Sequence, residues 1–489
     1  MSIGVTYEEP TRTVVEISAD PLAVMAGLAG SGLFDDHVVY ERPGSWTFAG
    51  GTLGEVVLED GEVRARWPGA EPESAPWTGR PAEALRAAFA AAPLPVWNAY
   101  GWIAFEFAAE RRNGTAAERR NGTAAERRNG TAAERRNGTA AERRNGTAAE
   151  RRNDSPAERR NDSPAEGRLA HLVVPRVEVL VRDGRALITG VDADEIERVA
   201  KLVAAGGAPA PAAASPVDVR AGGDAYRARV ARAVADIGAG RYQKVIVSRR
   251  LDVPYPVDVP ATYVRGRAAN TPARSFLLDL DGFQATGFSP EVLASVEADG
   301  TVMTQPLAGT RAFGRGADAD ARTRRELESD PKEIFEHAVS VRTSQDELNE
   351  VCAPGSVRVT GFMTVKERGS VQHLGSSVSG VLAPGRTCWD ALDALFPGVT
   401  ASGIPKPAAI EAIGGLEEHR GLYAGAVLAV SHDGALDSAL VLRALYSRDG
   451  RAWLRAGAGI VSGSTPEREY EETCEKLSSI APHVVPLSR

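Results

Sequence analysis

The sequence predicts an α+β fold in which large antiparallel β-sheets are flanked by helices, and three observations carry that expectation. Short runs rich in apolar and β-branched residues recur along most of the chain, separated by Gly, Asp and Pro turns. Amphipathic stretches of helical period lie between them. Turns that send the chain back antiparallel far outnumber βαβ crossovers, which argues against a doubly wound sheet. The glycine-rich RAGAGIVSG (Arg455–Gly463) has no βαβ unit after it, so a dinucleotide fingerprint is rejected there.

The elements follow in chain order. Thr11–Ile17, His37–Tyr40, Trp46–Ala49, Glu55–Leu58 and Val63–Trp67 read as strands, and Glu83–Ala91 as a short helix. Pro95–Phe107 is an aromatic strand pair or strand-and-turn whose rings belong in a core. Leu172–Leu180 and Arg185–Thr189 predict a hairpin turning at Asp183–Gly184. Asp194–Ala204 predicts a helix, and Ala205–Pro216 a connector. In the helix predicted over Asp224–Ala239, Tyr226, Val230, Val234 and Ile237 share one face. It leads into a strand over Tyr242–Ser248 that sets Lys244 among apolar neighbours. Thr271–Leu280, Gly282–Ser289 and Val292–Glu297 predict an antiparallel series.

Residues 111–166 interrupt this pattern with five copies of RRNGTAAE followed by two of RRNDSPAE. Alanine and proline are their only apolar residues, so the block has no face to bury and cannot stack as a solenoid. A mobile loop with transient helix is expected, carrying no catalytic residue. Its paired arginines could hold phosphate non-specifically, but each octad also carries glutamate and no aromatic residue. The expected organisation is one large domain. Its N-terminal α+β portion comprises 1–110 and 167–224, the octads form an insertion, and 225–489 is the catalytic portion.

Composition excludes several classes. At 489 residues with a net charge of −8, nucleic acid is disfavoured as the main partner. The absence of a long apolar run excludes a membrane span, and the acidic N-terminal stretch does not read as a signal peptide. Cys352, Cys388 and Cys474 are widely spaced and fit a reducing cytoplasm better than a disulfide framework. Seven scattered histidines form no zinc motif.

Two segments carry local signals for a hard-cation site. In DPKEIFEHAVSVR (Asp330–Arg342), Asp330 predicts an N-cap, Pro331 the first helical position and Glu333 a capping-box partner. Glu333 and Glu336 then share a face beside Ile334, Ala338 and Val341. In STPEREYEETCEK (Ser464–Lys476), Ser464 or Thr465 caps a helix that places Glu469 and Glu472 together. A Mg²⁺ that keeps several waters needs only one or two such carboxylates. Glutamates near helix starts also serve capping and the macrodipole, so spacing alone leaves both readings open.

With YQKVIVSR, GFSPE, PLAGTR, KEIFEHAVSVR, GSVQHLGS, TASGIPK, GLYAGAV, LRALY and GAGIVSGSTPEREYEETCEK in order over roughly 225–480, the chain resembles the chorismate-utilising enzymes. That family includes anthranilate, aminodeoxychorismate, isochorismate and salicylate synthases. The likeness is strongest to the siderophore-pathway, mycobactin-type salicylate synthases and is looser at the N-terminus; the octads are a departure. The resemblance implies the anthranilate synthase large-subunit-like fold and a Mg²⁺-dependent conversion of chorismate to isochorismate, then to salicylate and pyruvate. An isochorismate synthase that stops at the first product is the alternative.

The resemblance also implies roles for individual residues. Lys244 matches the family's water-activating base, which must shed a proton; desolvation and neighbouring cations favour that loss. Glu291 matches the general acid for the departing C4 hydroxyl, and His373 a pocket histidine near the ring. Glu336 and Glu472 match Mg²⁺ ligands, with Glu333 and Glu469 beside them. Arg443 and Tyr423 are assigned to the enolpyruvyl carboxylate, and Lys476 to the metal-side carboxylate region. Gly309, Thr310, Gly457 and Gly459 offer backbone donors and close approach. Thr400 matches the threonine of the water-using branch. A monomer without an amidotransferase subunit is implied.

Overall fold

The computed structural model describes residues 10–109, 167–207 and 213–488. The octad block expected over 111–166, and part of the connector, lie outside the described residues. The chain builds two large sheets whose pairings are antiparallel throughout. The first has 11 strands and begins with Thr11–Glu16, Arg185–Gly190, Val177–Arg182, Ser45–Gly50 and His37–Arg42. It continues through Arg274–Leu280, Phe283–Ser289, Ala444–Arg448, Arg451–Ile460 and Lys244–Val253 to Gly403–Ile404. The second has 12, with Asn98–Ile103, Arg168–Val174 and Gly54–Glu59 on one side of Ala426–Ser431. On its other side lie Leu436–Leu440, Val292–Val296, Thr301–Thr304, Val371–Val381 and Leu307–Ala312.

In each sheet a block of early strands meets a block of late ones at one junction: His37–Arg42 pairs with Arg274–Leu280, and Asn98–Ile103 with Ala426–Ser431. Side-chain alternation then divides the core. Val38 and Tyr40 join Leu58, Trp102 and Val427 in a cluster shared by both sheets. Val39 points the other way, into a second cluster under the helices Pro21–Ala29, Ala193–Ala204 and Val259–Ala269.

Most expected elements appear within a residue or two of their predicted bounds. The run Leu172–Leu180 does not remain one strand: Arg168–Val174 lies in the second sheet and Val177–Arg182 in the first. Pro175 lies at the break and has no N–H for a ladder, so the chain crosses between sheets there. Pro95–Phe107 yields one strand, Asn98–Ile103, rather than a pair, and Trp102 and Phe107 are buried as expected.

The Pro331–Asn349 helix starts as predicted, with the Asp330 carboxylate accepting from the Lys332 and Glu333 N–H groups. Glu333 does not complete the capping box, because Arg311 draws its carboxylate away. The helix also rotates from its expected stripe. It buries His337, Ser340, Val341, Ser344 and Leu348, while Ile334 and Ala338 are only partly covered. The Pro466–Leu477 helix is capped by Thr465, which accepts from the Arg468 N–H.

Candidate active site

One cavity gathers side chains from both sheets, from the start of the Pro331–Asn349 helix and from the C-terminal half of the Pro466–Leu477 helix. Lys244, Glu291, Gly309, Thr310, Glu333, Glu336 and His373 line it, together with Thr400, Tyr423, Arg443, Gly457, Gly459, Glu472 and Lys476. Of the residues singled out in the sequence, Glu469 alone lies outside this lining; it is buried behind Glu472.

Lys244 belongs to a strand of the first sheet, and Glu291 to the link between the two sheets. Lys244 opens the strand Lys244–Val253 and is buried, with Nζ 2.7 Å from Glu336 Oε1. Its neighbouring strand Arg451–Ile460 sets Gly459 opposite Ile246 and Gly457 opposite Ser248. Small residues are required there. A Cβ at Gly457 would lie 2.8 Å from the Tyr423 hydroxyl, and one at Gly459 3.2 Å from Lys244 Cε.

Glu291 sits between the strands Phe283–Ser289 and Val292–Val296. Thr400 Oγ1 lies 2.7 and 2.9 Å from its two carboxylate oxygens. Burial raises Glu291 to about 8, outweighing the Thr400 hydrogen bond and the charge of Lys244, which both favour ionisation. A carboxylic acid that holds its proton at neutral pH can deliver it to a leaving group.

Arg443 has the opposite character. It is buried, its backbone adopts φ +53°, and among the described residues no carboxylate pairs with it. One of its nitrogens donates to the Arg368 carbonyl at 3.1 Å, and the other donates to His373 Nε2. Burial lowers the Arg443 guanidinium to about 9, with Arg368 adding to the effect. Desolvation, then Arg443, drives His373 well below the usual histidine range and keeps it neutral. His373 Nδ1 then carries the proton, 3.0 Å from the Gly309 carbonyl and 3.1 Å from Thr310 Oγ1. The ring thereby accepts from Arg443 at Nε2 and donates from Nδ1, tying the guanidinium to the Gly309–Thr310 turn. An unpaired guanidinium, held in a left-handed backbone conformation and aimed at a cavity, calls for an anion.

The glutamate side is crowded with charge. Arg311 donates to Glu333 at 3.0 Å and to Asp330 at 2.6 Å, while Lys476 bridges Glu472 at 2.8 Å and the Gly457 carbonyl at 2.9 Å. Burial, then repulsion from Glu336 and Glu472, raises Glu333 despite Arg311. Burial, then Glu472, likewise raises Glu469. For Glu472 burial is outweighed by Lys476 and Arg468, which hold it below the ordinary range.

Among the described residues no group of three or more His, Cys, Asp or Glu side chains closes into a metal cluster. Glu336 and Glu472 are each held by a lysine. The donor set still fits a hard cation that keeps its own waters: the carboxylates of Glu333 and Glu336 from one helix and of Glu472 from the other line one cavity.

Some of the constellation was not identified from sequence. Arg455 lines the cavity and lies 2.8 Å from Glu417, which also holds Arg420 at 2.7 Å and Ser248. Burial opposes the Glu417 charge, but Arg420 and Arg455 outweigh it and hold the carboxyl at about 2. Both arginines pack against the Tyr423 ring, at 5.7 and 5.6 Å. The available signal was an arginine among the small, apolar residues of Arg451–Ile460. Lys332 and Arg311 are further contributors, both inside quoted motifs.

Comparison with known proteins is consistent with this geometry. The profile of the chorismate binding enzyme family matches residues 37–482. A salicylate synthase from Mycolicibacterium paratuberculosis is 46% identical over 478 residues, covering 96% of this chain and 93% of that one. Anthranilate synthase component 1 from Streptomyces coelicolor is 42% identical over 253 residues, covering 51% of this chain and 49% of its own. Among solved structures, the menaquinone-specific isochorismate synthase of Escherichia coli shares the fold with TM-score 0.67 at 18% identity, covering 98% of this chain and 96% of that one. Anthranilate synthase component I from Streptococcus pneumoniae does so with TM-score 0.65 at 24% identity, covering 91% and 92%. The chain belongs to the chorismate binding enzyme family.

Proposed function

We propose that this chain is a salicylate synthase, converting chorismate to isochorismate and then to salicylate plus pyruvate. The observation that carries this reading is Glu291, a buried acid kept protonated at neutral pH in the same cavity as the buried lysine Lys244. The nearest charged neighbour of Lys244 is the Glu336 carboxylate rather than the expected cations. In the first step Lys244, neutral once Glu336 turns from this ion pair to the metal, takes a proton from water as its oxygen adds at C2 of the ring. Glu291 gives its proton to the C4 hydroxyl, which leaves as water. Arg443 receives the enolpyruvyl carboxylate, and His373 and Tyr423 fix its approach. In the second step the C2 hydrogen passes to the enolpyruvyl methylene as the C–O bond breaks. That step needs a fixed pose and no further acid or base. The extensive identity to a salicylate synthase supports carrying the reaction this far.

Glu336 and Glu472 would hold Mg²⁺ on the ring-carboxylate side, with Glu333 nearby and Glu469 behind. When bound, the ion supplies neutralisation and orientation of that carboxylate. Water as nucleophile requires no ammonia-producing partner. Among the described residues no helix is long and apolar enough to cross a membrane. Residues 225–489 supply the residues that contact substrate, and 1–110 with 167–224 complete the sheets behind them.

The test is incubation of the protein with chorismate and Mg²⁺, with products resolved over time. Salicylate and pyruvate rising together is the expected result. Isochorismate accumulating without pyruvate would reassign the chain to the first step only.

A further inference from the structure

The cavity has a defined mouth. Among its described lining residues Lys332 is the one that is exposed, and beside it Glu333, Glu336 and Glu472 are half-buried. A dicarboxylate entering here passes a rim of carboxylates, in a protein whose net charge is already −8. Unlike Lys244 and Lys476, Lys332 has no ion-pair partner among the described residues. Outside the mouth lies a groove of about 840 Å³ that shares Lys244, Lys332 and Glu336 with the cavity. Its walls are mainly apolar and include Phe335, Val339, Ile404 and Val461. Phe335 is 71% exposed, although it stands on the helix that carries the glutamates.

We propose that this groove is an entrance subsite for a cyclic dicarboxylate, with Lys332 as the recruiting cation and Phe335 as the apolar wall against the ring. The identity of the dicarboxylate as chorismate rests on the function proposed above. The two features complement the two parts of such a molecule, and the groove leads directly to the glutamate side of the cavity. The groove's other exposed cation, Arg241, is paired with Asp236, so Lys332 is the one that offsets the local negative field, and its effect belongs to capture and is screened by salt.

The test compares Lys332→Gln, Lys332→Arg and Phe335→Ala with the unmodified protein in chorismate turnover across ionic strength. Lys332→Gln is expected to lower kcat/KM about fivefold at low salt, with a much smaller change in kcat. The difference should close as salt rises, and Lys332→Arg should restore most of it. Phe335→Ala should cost about two- to threefold in kcat/KM at any salt. Methyl NMR with isophthalate, an inert dicarboxylate, supplies an independent readout. Val339, Val461 and Ile404 signals should shift in the unmodified protein and stay still in Lys332→Gln/Phe335→Ala. Unchanged kcat/KM in Lys332→Gln at every salt concentration, or isophthalate shifts confined to Leu307 and Ile480 inside, would overturn the subsite. Groove shifts in a protein that does not turn over chorismate would overturn the proposed function and leave the subsite standing.

Discussion

The two ends of the cavity are built on opposite electrostatic rules. At the glutamate end Lys244, Arg311 and Lys476 hold Glu336, Glu333 and Glu472 in ion pairs, and burial, with repulsion from Glu336 and Glu472, still raises Glu333. At the other end Arg443 is buried beside a neutral histidine, and among the described residues no carboxylate pairs with it. One end is crowded with anions and the other has a cation in want of one. A ligand with two carboxylates therefore relieves the Arg443 end directly and needs a cation to be accepted at the glutamate end. Glu291 and Lys244, the proposed acid and base, lie within this polarised space.

The largest effect expected is on chemistry. Glu291→Gln and Lys244→Met should each lower turnover by about 10²–10⁴-fold while the fold is retained, checked by product chromatography and circular dichroism. Next comes Arg443→Met, which should lower kcat/KM by about 10²-fold yet raise ligand-free stability by about 1–3 kcal/mol in denaturant unfolding. Loss of both activity and stability would mean that Arg443 is an ordinary structural residue, and the contrast between the two ends would fail.

Glu291 also predicts a pH dependence with a definite sign. Its folded value of about 8 lies above the ordinary 4.5, so between those limits the folded state keeps a proton that the unfolded state has lost. Stability should therefore fall as pH rises through that window, by up to about 1.4 kcal/mol per pH unit, and Glu291→Gln should flatten the slope. Activity should decline as pH passes about 8. Thr400→Val removes a bond that favours the ionised acid and should move that limb upward, read from kcat/KM against pH. The smallest effect is at Glu469, which lies off the cavity lining and is raised by burial and by Glu472. Glu469→Gln removes a buried charge and should raise the denaturant midpoint at pH 8, with turnover changed by less than about tenfold.

What the sequence made legible follows from how local each signal was. Asp330 and Thr465 were readable as helix caps because capping depends on a few adjacent residues. The antiparallel character followed from turn chemistry, but the split of Leu172–Leu180 between two sheets depended on the tertiary path, with Pro175 as its only local trace. Glu333 illustrates the same limit: its position promised a capping box, while Arg311, distant in sequence, decided its orientation. Spacing alone could not distinguish metal-site glutamates from capping ones, and the site residues became readable through the ordered family motifs. The Glu417–Arg420–Arg455 network went unread because its members gain meaning only when strand and loop bring them together.

The pairing of Asn98–Ile103 with Arg168–Val174 bears on the history of the octads. Ile103 and Ala170 are register partners in the interior of a sheet, so the chain departs for the repeats and returns from them at one fixed doorway. Tandem copies are gained and lost readily when nucleic acid is replicated, and a whole octad preserves reading frame on both sides. A whole octad gained or lost at this position leaves the Ile103–Ala170 register partners in place.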